Sequence, residues 1–427
     1  MRKPSLLIIF LTVFIDLVGF GIVLPLLPVY SRNFGASGFM IGAIIASYSL
    51  MQFLFAPVWG RLSDRIGRRP VLLVSTAGAV FSYVTFALGS GLKDPTLALG
   101  VLLGSRVLAG VCGANITVAQ AYIADITPPE DRSKKMGLIG MAFGLGFIFG
   151  PAIGGYALKW SGITAPGWIA AGLCAANFLL TLAILPESWK PDSNQVPKRP
   201  HLAQWTHTLQ QPKVGLLIFI FFLATFCFTC FETTLGLMVG RNFGLDTNNG
   251  EDAKTIAFLF AYCGIVSAFV QGGGIGRAIK KLGEPKLIAA SLILTGISLV
   301  LLPFPAVREH LPLSWGVVFS TPGLPWVGLL ALLAMLAIGS GLTRPPVFGM
   351  ISNLTPANEQ GAAIGIAQSA GSLARIAGPI FAATLFFAHQ ALPYLICGGL
   401  ALFASAIGWR YLCTPVPDGN RPKSNAR

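Results

Sequence analysis

Twelve runs of mostly apolar residues account for most of this 427-residue sequence. Each is close to the roughly 20 residues that a helix needs to cross the hydrocarbon core of a bilayer. Charged residues make up only 11% of the chain, and a surface so poor in charge cannot be covered by water alone. We therefore predict an all-α membrane protein. Its twelve transmembrane helices are expected at residues 6–30, 38–59, 70–91, 97–123, 135–159, 166–186, 213–240, 253–275, 286–304, 325–350, 361–386 and 391–412.

One long polar connection divides these spans into two groups of six. We predict an N-terminal six-helix bundle (1–187), a cytoplasmic linker (188–212), a C-terminal six-helix bundle (213–413) and a cytoplasmic tail (414–427). Most Lys and Arg residues fall in the loops on the side of the two termini, so the positive-inside rule places both termini in the cytoplasm of a cell with the protein in its inner (plasma) membrane. The net charge of +14 then reflects orientation, and we expect no nucleic-acid partner.

The two halves repeat each other. The tetrapeptide Arg-Asn-Phe-Gly follows the first span at residues 32–35 and the seventh at 241–244. Glycine-bounded basic loops follow the second span at 60–67 and the eighth at 276–283. Halves with six spans each and the same orientation form a parallel repeat, which predicts two pseudo-symmetric bundles with a solute site at their interface near the midplane.

The loop between spans 2 and 3 combines glycines with several charges. Glycine allows helices and a tight turn to approach closely, and Asp64 is suited to cap a neighbouring helix N-terminus. Asp125, at the inner end of span 4, is the expected partner of Arg68 or Arg69. We predict a gate that holds one conformation and breaks in the other, whereas the alternative is a basic anchor that only obeys the orientation rule. The predicted gate consists of Gly60, Asp64, Arg65, Gly67, Arg68, Arg69 and Asp125.

Span 5 carries a regular glycine pattern made of Gly137, Gly146, Gly150, Pro151 and Gly154. Such spacing gives a helix one glycine-lined face and a proline kink. We interpret this face as a packing surface between the halves. Ordinary close packing is the alternative.

Several ionisable side chains lie inside the apolar spans. A charge within the membrane is costly, and so it indicates a function and a partner. A carboxyl group in a partly dry cavity can exchange a proton near neutral pH. We therefore predict Asp16 and Glu232 as proton or cation sites with Arg106 as a modulator, the alternative for each being a buried structural ion pair. Candidates for the substrate cavity are Gln52, Asn115, Gln120, Gln368 and Arg375, and helix packing is the alternative for the four amide side chains.

The sequence shows no pattern typical of an enzyme. It contains no P-loop, no H-E-x-x-H and no G-x-S-x-G, and its four histidines form no catalytic group. Cys227 and Cys230 form a C-x-x-C pair, but inside an apolar helix where structural thiols are usual. We expect no catalytic residue, no metal site and no cofactor other than a proton as coupling ion.

These motifs resemble those of the major facilitator superfamily over essentially the whole chain. The loop at 60–69 and the stretch Gly104–Gly110 look like two signatures of that superfamily, and the span 5 glycines resemble those of drug–proton antiporters. The N-terminal half is similar to bacterial tetracycline efflux proteins at 50–54, 63–70 and 121–127. The resemblance implies the major facilitator fold, coupled exchange through Asp16 and a gate pair of Arg68 with Asp125.

The chain also departs from the tetracycline pumps. It has Ser82 where they carry an acidic residue in span 3, Ser267 where they carry a His in span 8, and Leu294-Thr295 near their Asp in span 9. The resemblance associates those groups with a metal–tetracycline chelate and with proton passage, so their absence disfavours tetracycline itself. We hypothesise that Glu232 supplies part of the missing proton chemistry.

Together these features predict proton-coupled efflux, by antiport, of small amphipathic drugs or metabolites through alternating access. The protein is expected to act as a monomer in the lipid bilayer on a small-molecule substrate. Two alternatives share the fold: proton-coupled uptake of a sugar or organic acid, and a membrane sensor that transports nothing.

Overall fold

The computed structural model describes residues 5–27, 30–31, 34–113, 115–189, 200–245, 250–306 and 324–413. Within these ranges twelve helical stretches are long and apolar enough to cross a membrane, which confirms the predicted all-α membrane fold. The predicted tail, residues 190–199 of the linker, and Arg32 and Asn33 of the repeat lie outside the described residues.

We number the stretches spans 1 to 12. Their helices are, in order, Leu6–Val23; Gly38–Ile66; Arg68–Ser90; Pro95–Cys112 with Asn115–Ile126; Arg132–Ser161; Ala165–Ile184; Pro212–Phe243; Gly250–Phe269 with Ile275–Leu282; Glu284–Leu301; Leu324–Leu354; Gln360–Ala388; and Leu392–Leu412.

Two spans are interrupted and the linker is partly helical, none of which was predicted. Gly113 ends the first helix of span 4. Span 8 contains a π-helical turn, Val270–Gly274, with three consecutive glycines. A ten-residue helix, His201–Gln210, occupies the end of the linker, and we call it the linker helix. It directly precedes span 7, whose first residue is Pro212, a favoured residue at the first helical position.

Large apolar side chains cover the outside of the bundle. Phe81, Trp160, Phe269 and Ile380 each expose about two thirds or more of their surface, at 66%, 77%, 77% and 67%. In water such a surface would be an aggregation hazard, but lipid tails solvate it readily. The apolar exterior therefore indicates that lipid surrounds the protein.

The halves meet along two seams. Span 2 packs along span 11, and span 5 packs against spans 8 and 10. The loops between spans 2 and 3 and between spans 8 and 9 lie on one face of the bundle, which we call the basic side. Their turns use equivalent glycines, because Gly67 (φ 99°) and Gly283 (φ 75°) both take the left-handed conformation that other residues disfavour.

Candidate functional site

Asp64 joins the two halves on the basic side. It is fully buried at the end of span 2. Its Oδ1 accepts a hydrogen bond from the backbone N–H of Gly361 at 2.9 Å, and its Oδ2 accepts one from Ala362 at 2.8 Å. Since the first N–H groups of a helix have no partner within it, the Asp64 carboxylate caps span 11 and interacts favourably with its dipole.

Arg68 connects this cap to span 4. Its guanidinium is fully buried and donates from Nη1 to Asp64 Oδ1 at 2.5 Å and from Nε to Asp125 Oδ2 at 3.0 Å. Of the two candidate partners for Asp125, the structure thus selects Arg68. Arg69 instead donates from Nη2 to the Leu182 carbonyl at 2.8 Å. We call Asp64, Arg68 and Asp125 the latch; its role as a gate stays a prediction.

Glu187 supports the latch, and sequence reasoning gave it no role. Its Oε1 accepts from the N–H of Arg68 at 2.9 Å and its Oε2 from the N–H of Arg69 at 3.0 Å, so it caps span 3. The next residue, Ser188, donates to Asp125 Oδ2 at 2.9 Å. One sequence signal could have indicated such a cap. Gly67 has no side-chain oxygen that could accept from the first N–H groups of span 3, so another residue has to supply the acceptor.

A second contact between the halves lies on the same side. The Ser133 hydroxyl at the start of span 5 donates to the Glu284 carboxylate at the start of span 9. Arg132 donates from Nη1 to the Ser352 carbonyl of span 10 at 3.1 Å. Glu284 follows Gly283 as Arg68 follows Gly67, so the two repeats carry opposite charges at this position.

The span 5 glycines differ in part from the expectation. Gly137 faces the other half, since a Cβ there would lie 2.9 Å from the Gln271 carbonyl oxygen of span 8. Gly146, Gly150 and Gly154 instead pack against span 1 of their own half; a Cβ at Gly150 would lie 2.5 Å from the carbonyl carbon of Gly21. The three positions repeat every four residues and therefore share a helix face. Pro151 lies within this uninterrupted helix.

The two acids lie in the cavity between the halves. Asp16 is half-buried in span 1 and faces the side chain of Asn115. Glu232 is exposed on span 7, and the charges that act on it are those of Arg344 and Arg375. Neither acid forms an ion pair within 4.0 Å in the part of the chain that the structure describes. The structural ion pairs considered as alternatives are therefore not formed in this conformation.

Arg106 forms no ion pair with either acid among the described residues, although its charge and that of Asp16 both act on Tyr48 and Tyr83. It is buried, and its guanidinium carbon is 5.5 Å from the centre of the Tyr83 ring and 5.7 Å from that of Phe86. None of its three side-chain nitrogens has a hydrogen-bond partner among the described residues. No direct contact between Arg106 and Asp16 therefore supports its role as a modulator, which stays a prediction.

The predicted cavity residues meet across the two halves. Gln368 of span 11 donates to Gln120 of span 4 at 2.9 Å. Arg375 donates from Nη2 to the side-chain oxygen of Gln52, in span 2, at 3.1 Å. Asn115 instead interacts with Asp16. Near the basic side the cavity is lined by further residues from both halves, including Phe143, Gln271 and Arg344.

The described residues contain no group of three or more His, Cys, Asp or Glu side chains arranged to hold a metal ion. The side chains that converge on the cavity are amides, carboxylates and guanidinium groups, without a nucleophile next to a base. Such a set is suited to bind and release a solute and a cation.

Two six-span halves, latched on one side around a polar cavity, define the protein as a membrane transporter. The chain belongs to the Major Facilitator Superfamily, whose family model matches residues 9–324 and 276–427. This family consists of transporters rather than enzymes, and its membership confirms the resemblance noted in the sequence.

Several relatives match along most of their length. The tetracycline resistance protein, class E, of Escherichia coli is 35% identical over 387 residues, which cover 88% of this chain and 87% of that protein. Multidrug resistance protein 2 of Bacillus subtilis (strain 168) is 27% identical, with 93% and 92% covered. The crystal structure of the human organic anion transporter MFSD10 (TETRAN) has a TM-score of 0.76 at 24% identity and covers 95% of this chain and 100% of that one, which shows a shared fold.

Proposed function

We infer that this protein exports small amphipathic drugs or metabolites across the inner membrane in exchange for protons, by alternating access. The observation that carries this proposal is the pair of cavity acids, Asp16 and Glu232, which no ion pair neutralises among the described residues. It is further supported by relatives named for tetracycline and multidrug resistance. We assign both termini, and hence the basic side, to the cytoplasm, and we take the monomer as the working unit.

Exchange follows from the exposure of the acids. With the basic side latched, a carboxyl in the cavity takes up a proton from the opposite side. When the latch opens, the same carboxyl releases its proton into the cytoplasm, where the solute then binds. Solute and proton therefore compete for one site in alternating conformations, and this competition couples their movements.

The latch supplies the conformational step. Asp64, Arg68 and Asp125 lie at the basic end of the seam between spans 2 and 11, where the halves must part for the cytoplasmic side to open. Parting breaks the cap on span 11 and exposes its first N–H groups to water, which can replace the carboxylate. Latch formation thus favours the conformation described here and can be reversed.

Inverted membrane vesicles test the proposal. An imposed acid interior should be dissipated when a transported drug is added, and Asp16→Asn should abolish this response while the protein still folds. Asp131→Asn is the matched control, because Asp131 is exposed at the basic side and does not line the cavity. If a broad drug panel gave no pH response in the unaltered protein, or if Asp16→Asn left exchange unchanged, the proposed coupling would be wrong.

A further inference from the structure

Two guanidinium groups of the C-terminal half, Arg344 and Arg375, face the cavity without a carboxylate within ion-pair distance among the described residues, and Glu232 acts on both only at longer range. Arg375 donates only to neutral oxygens, those of Gln52 at 3.1 Å and Ser372 at 2.9 Å. The Arg344 guanidinium carbon lies 5.5 Å from the ring centres of both Phe143 and Phe221. Neither arginine forms a salt bridge in the described ranges. Both cations are therefore available to an anionic group that enters the cavity.

A row of polar side chains runs from these cations to the acid of the other half. Gln52 accepts from Arg375 through its side-chain oxygen and donates through Nε2 to the Tyr48 hydroxyl at 2.9 Å. Tyr48 in turn lies in the electrostatic field of both Asp16 and Arg375. The row thus has the Asp16 carboxylate at its end in the N-terminal half, where the charge of Arg106 also acts on Tyr48, and two guanidinium groups at its end in the C-terminal half. Glu232 lies nearer the end that carries Arg344 and Arg375.

Aromatic rings line the space beside this row. Phe20 lies 5.1 Å from Tyr48 and 6.1 Å from Phe147, measured between ring centres, and Phe143, beside Arg344, extends the lining towards the basic side. A guanidinium group stacks readily on flat aromatic surfaces. An aromatic solute frame can therefore contact both the rings and Arg344.

We propose that the exchanged solute is a dipolar aromatic molecule whose anionic group binds Arg375 and Arg344 and whose cationic group takes the place of the proton at Asp16. This inference rests on the proposed function. A purely anionic solute would bind best when the acids are protonated, and linkage would then make it travel with protons. Only a cationic group that competes with the proton gives exchange, so both ends of the cavity are needed.

Three dyes on one xanthene frame separate the two ends of the cavity. Unesterified rhodamine is zwitterionic, its methyl ester is cationic, and fluorescein is anionic. Binding to the purified full chain is measured by fluorescence anisotropy. Arg375→Met should weaken binding of the zwitterion about tenfold, the loss expected for one charge-assisted hydrogen bond, and leave the ester unchanged. Asp16→Asn should weaken the zwitterion and the ester but not fluorescein.

The ester serves as the folding control for Arg375→Met, and fluorescein serves as the folding control for Asp16→Asn. Arg241→Met is the matched control for loss of an arginine, because Arg241 is exposed near the end of span 7 opposite the basic side. An equal loss for zwitterion and ester in Arg375→Met would assign Arg375 a structural role and overturn the proposal. So would failure of every dye to bind.

Transport assays distinguish the two proposals. Binding with the expected charge pattern, but without movement driven by a pH gradient, would refute the proposed exchange and leave the solute class standing. If a pH gradient instead drove movement of the ester equally well with and without Arg375, and the zwitterion were not preferred, the proposed exchange would stand and the proposed solute class would be refuted.

Discussion

Gly60 of span 2 and Gly361 of span 11 meet backbone to backbone across the seam between the halves. A Cβ on Gly60 would lie 2.1 Å from the Gly361 carbonyl oxygen, and a Cβ on Gly361 would lie 2.4 Å from the Gly60 carbonyl oxygen. No side chain fits at either position while the basic side is closed, because the obstructing atoms belong to the backbone.

Gly60→Ala should therefore disfavour the closed basic side. Strain of the size found for overpacked cores corresponds to about a tenfold or larger shift towards the open conformation. We expect a cysteine placed at Gln120, near the closed end of the cavity, to react faster with a membrane-impermeant maleimide applied to the basic side. Gly100→Ala is the control, since a Cβ at Gly100 has no neighbour within 4 Å. Equal labelling in both backgrounds would contradict the prediction.

Asp64→Ala should lower the melting temperature in detergent more than Asp64→Asn does. The alanine leaves Arg68 short of a partner and span 11 without its cap, and loss of one member of a buried charged pair costs about 3 to 5 kcal/mol. Asparagine keeps one acceptor oxygen for Gly361. Asp131→Ala, at an exposed position, should change little. Equal melting temperatures for the two Asp64 variants would show that the charge, and not the cap, matters.

Glu187→Ala should loosen the start of span 3. Its carboxylate accepts from the N–H groups of Arg68 and Arg69, and loss of a helix cap typically costs about 1 kcal/mol. Hydrogen exchange at these two amides should become faster, and exchange activity should fall because Arg68 is held less firmly for Asp125. Glu130→Ala, on the exposed loop before span 5, is the comparison. Unchanged amide exchange would leave Glu187 without a capping role.

Glu232→Gln should weaken proton coupling without abolishing it. Asp16 lies in the N-terminal half and Glu232 in the field of two arginines, so the two acids occupy unequal surroundings. We expect Glu232→Gln to lower the number of protons moved per solute in reconstituted vesicles, while Asp16→Asn stops coupled movement. Glu130→Gln provides the matched control. A full proton count in Glu232→Gln would exclude that residue from coupling.

The fold was predictable because hydrophobic length is a property of single segments. Each span is visible in the sequence as a run of apolar residues, and the basic loops and the internal repeat then show that the spans form two halves. The position of Asp125 at the inner end of span 4 likewise limited its expected partner to two neighbouring arginines, Arg68 and Arg69. The choice of Arg68 over Arg69 depends on which face of span 3 turns inward, and that is decided by packing against spans 2 and 4.

Other features depend on contacts between distant segments. Glu187 is an ordinary charged residue at the end of a span until the fold brings it to the first N–H groups of span 3. The linker helix carries a weak apolar pattern, yet its Trp205 packs against Phe53 of span 2, with 5.9 Å between the ring centres. The span 5 glycines likewise pack against two different spans, 1 and 8, and the local glycine pattern does not show which spans these are.

The opposite charges of Arg68 and Glu284 have a consequence for the origin of such a chain from a duplicated ancestor. Each turn reaches the other half with its own chemistry: Asp64, held by Arg68, caps span 11, whereas Glu284 accepts from Ser133 of span 5. Two identical copies of either half could not reproduce both contacts. The two halves therefore depend on each other. A single half expressed alone could not form both contacts, even as a homodimer.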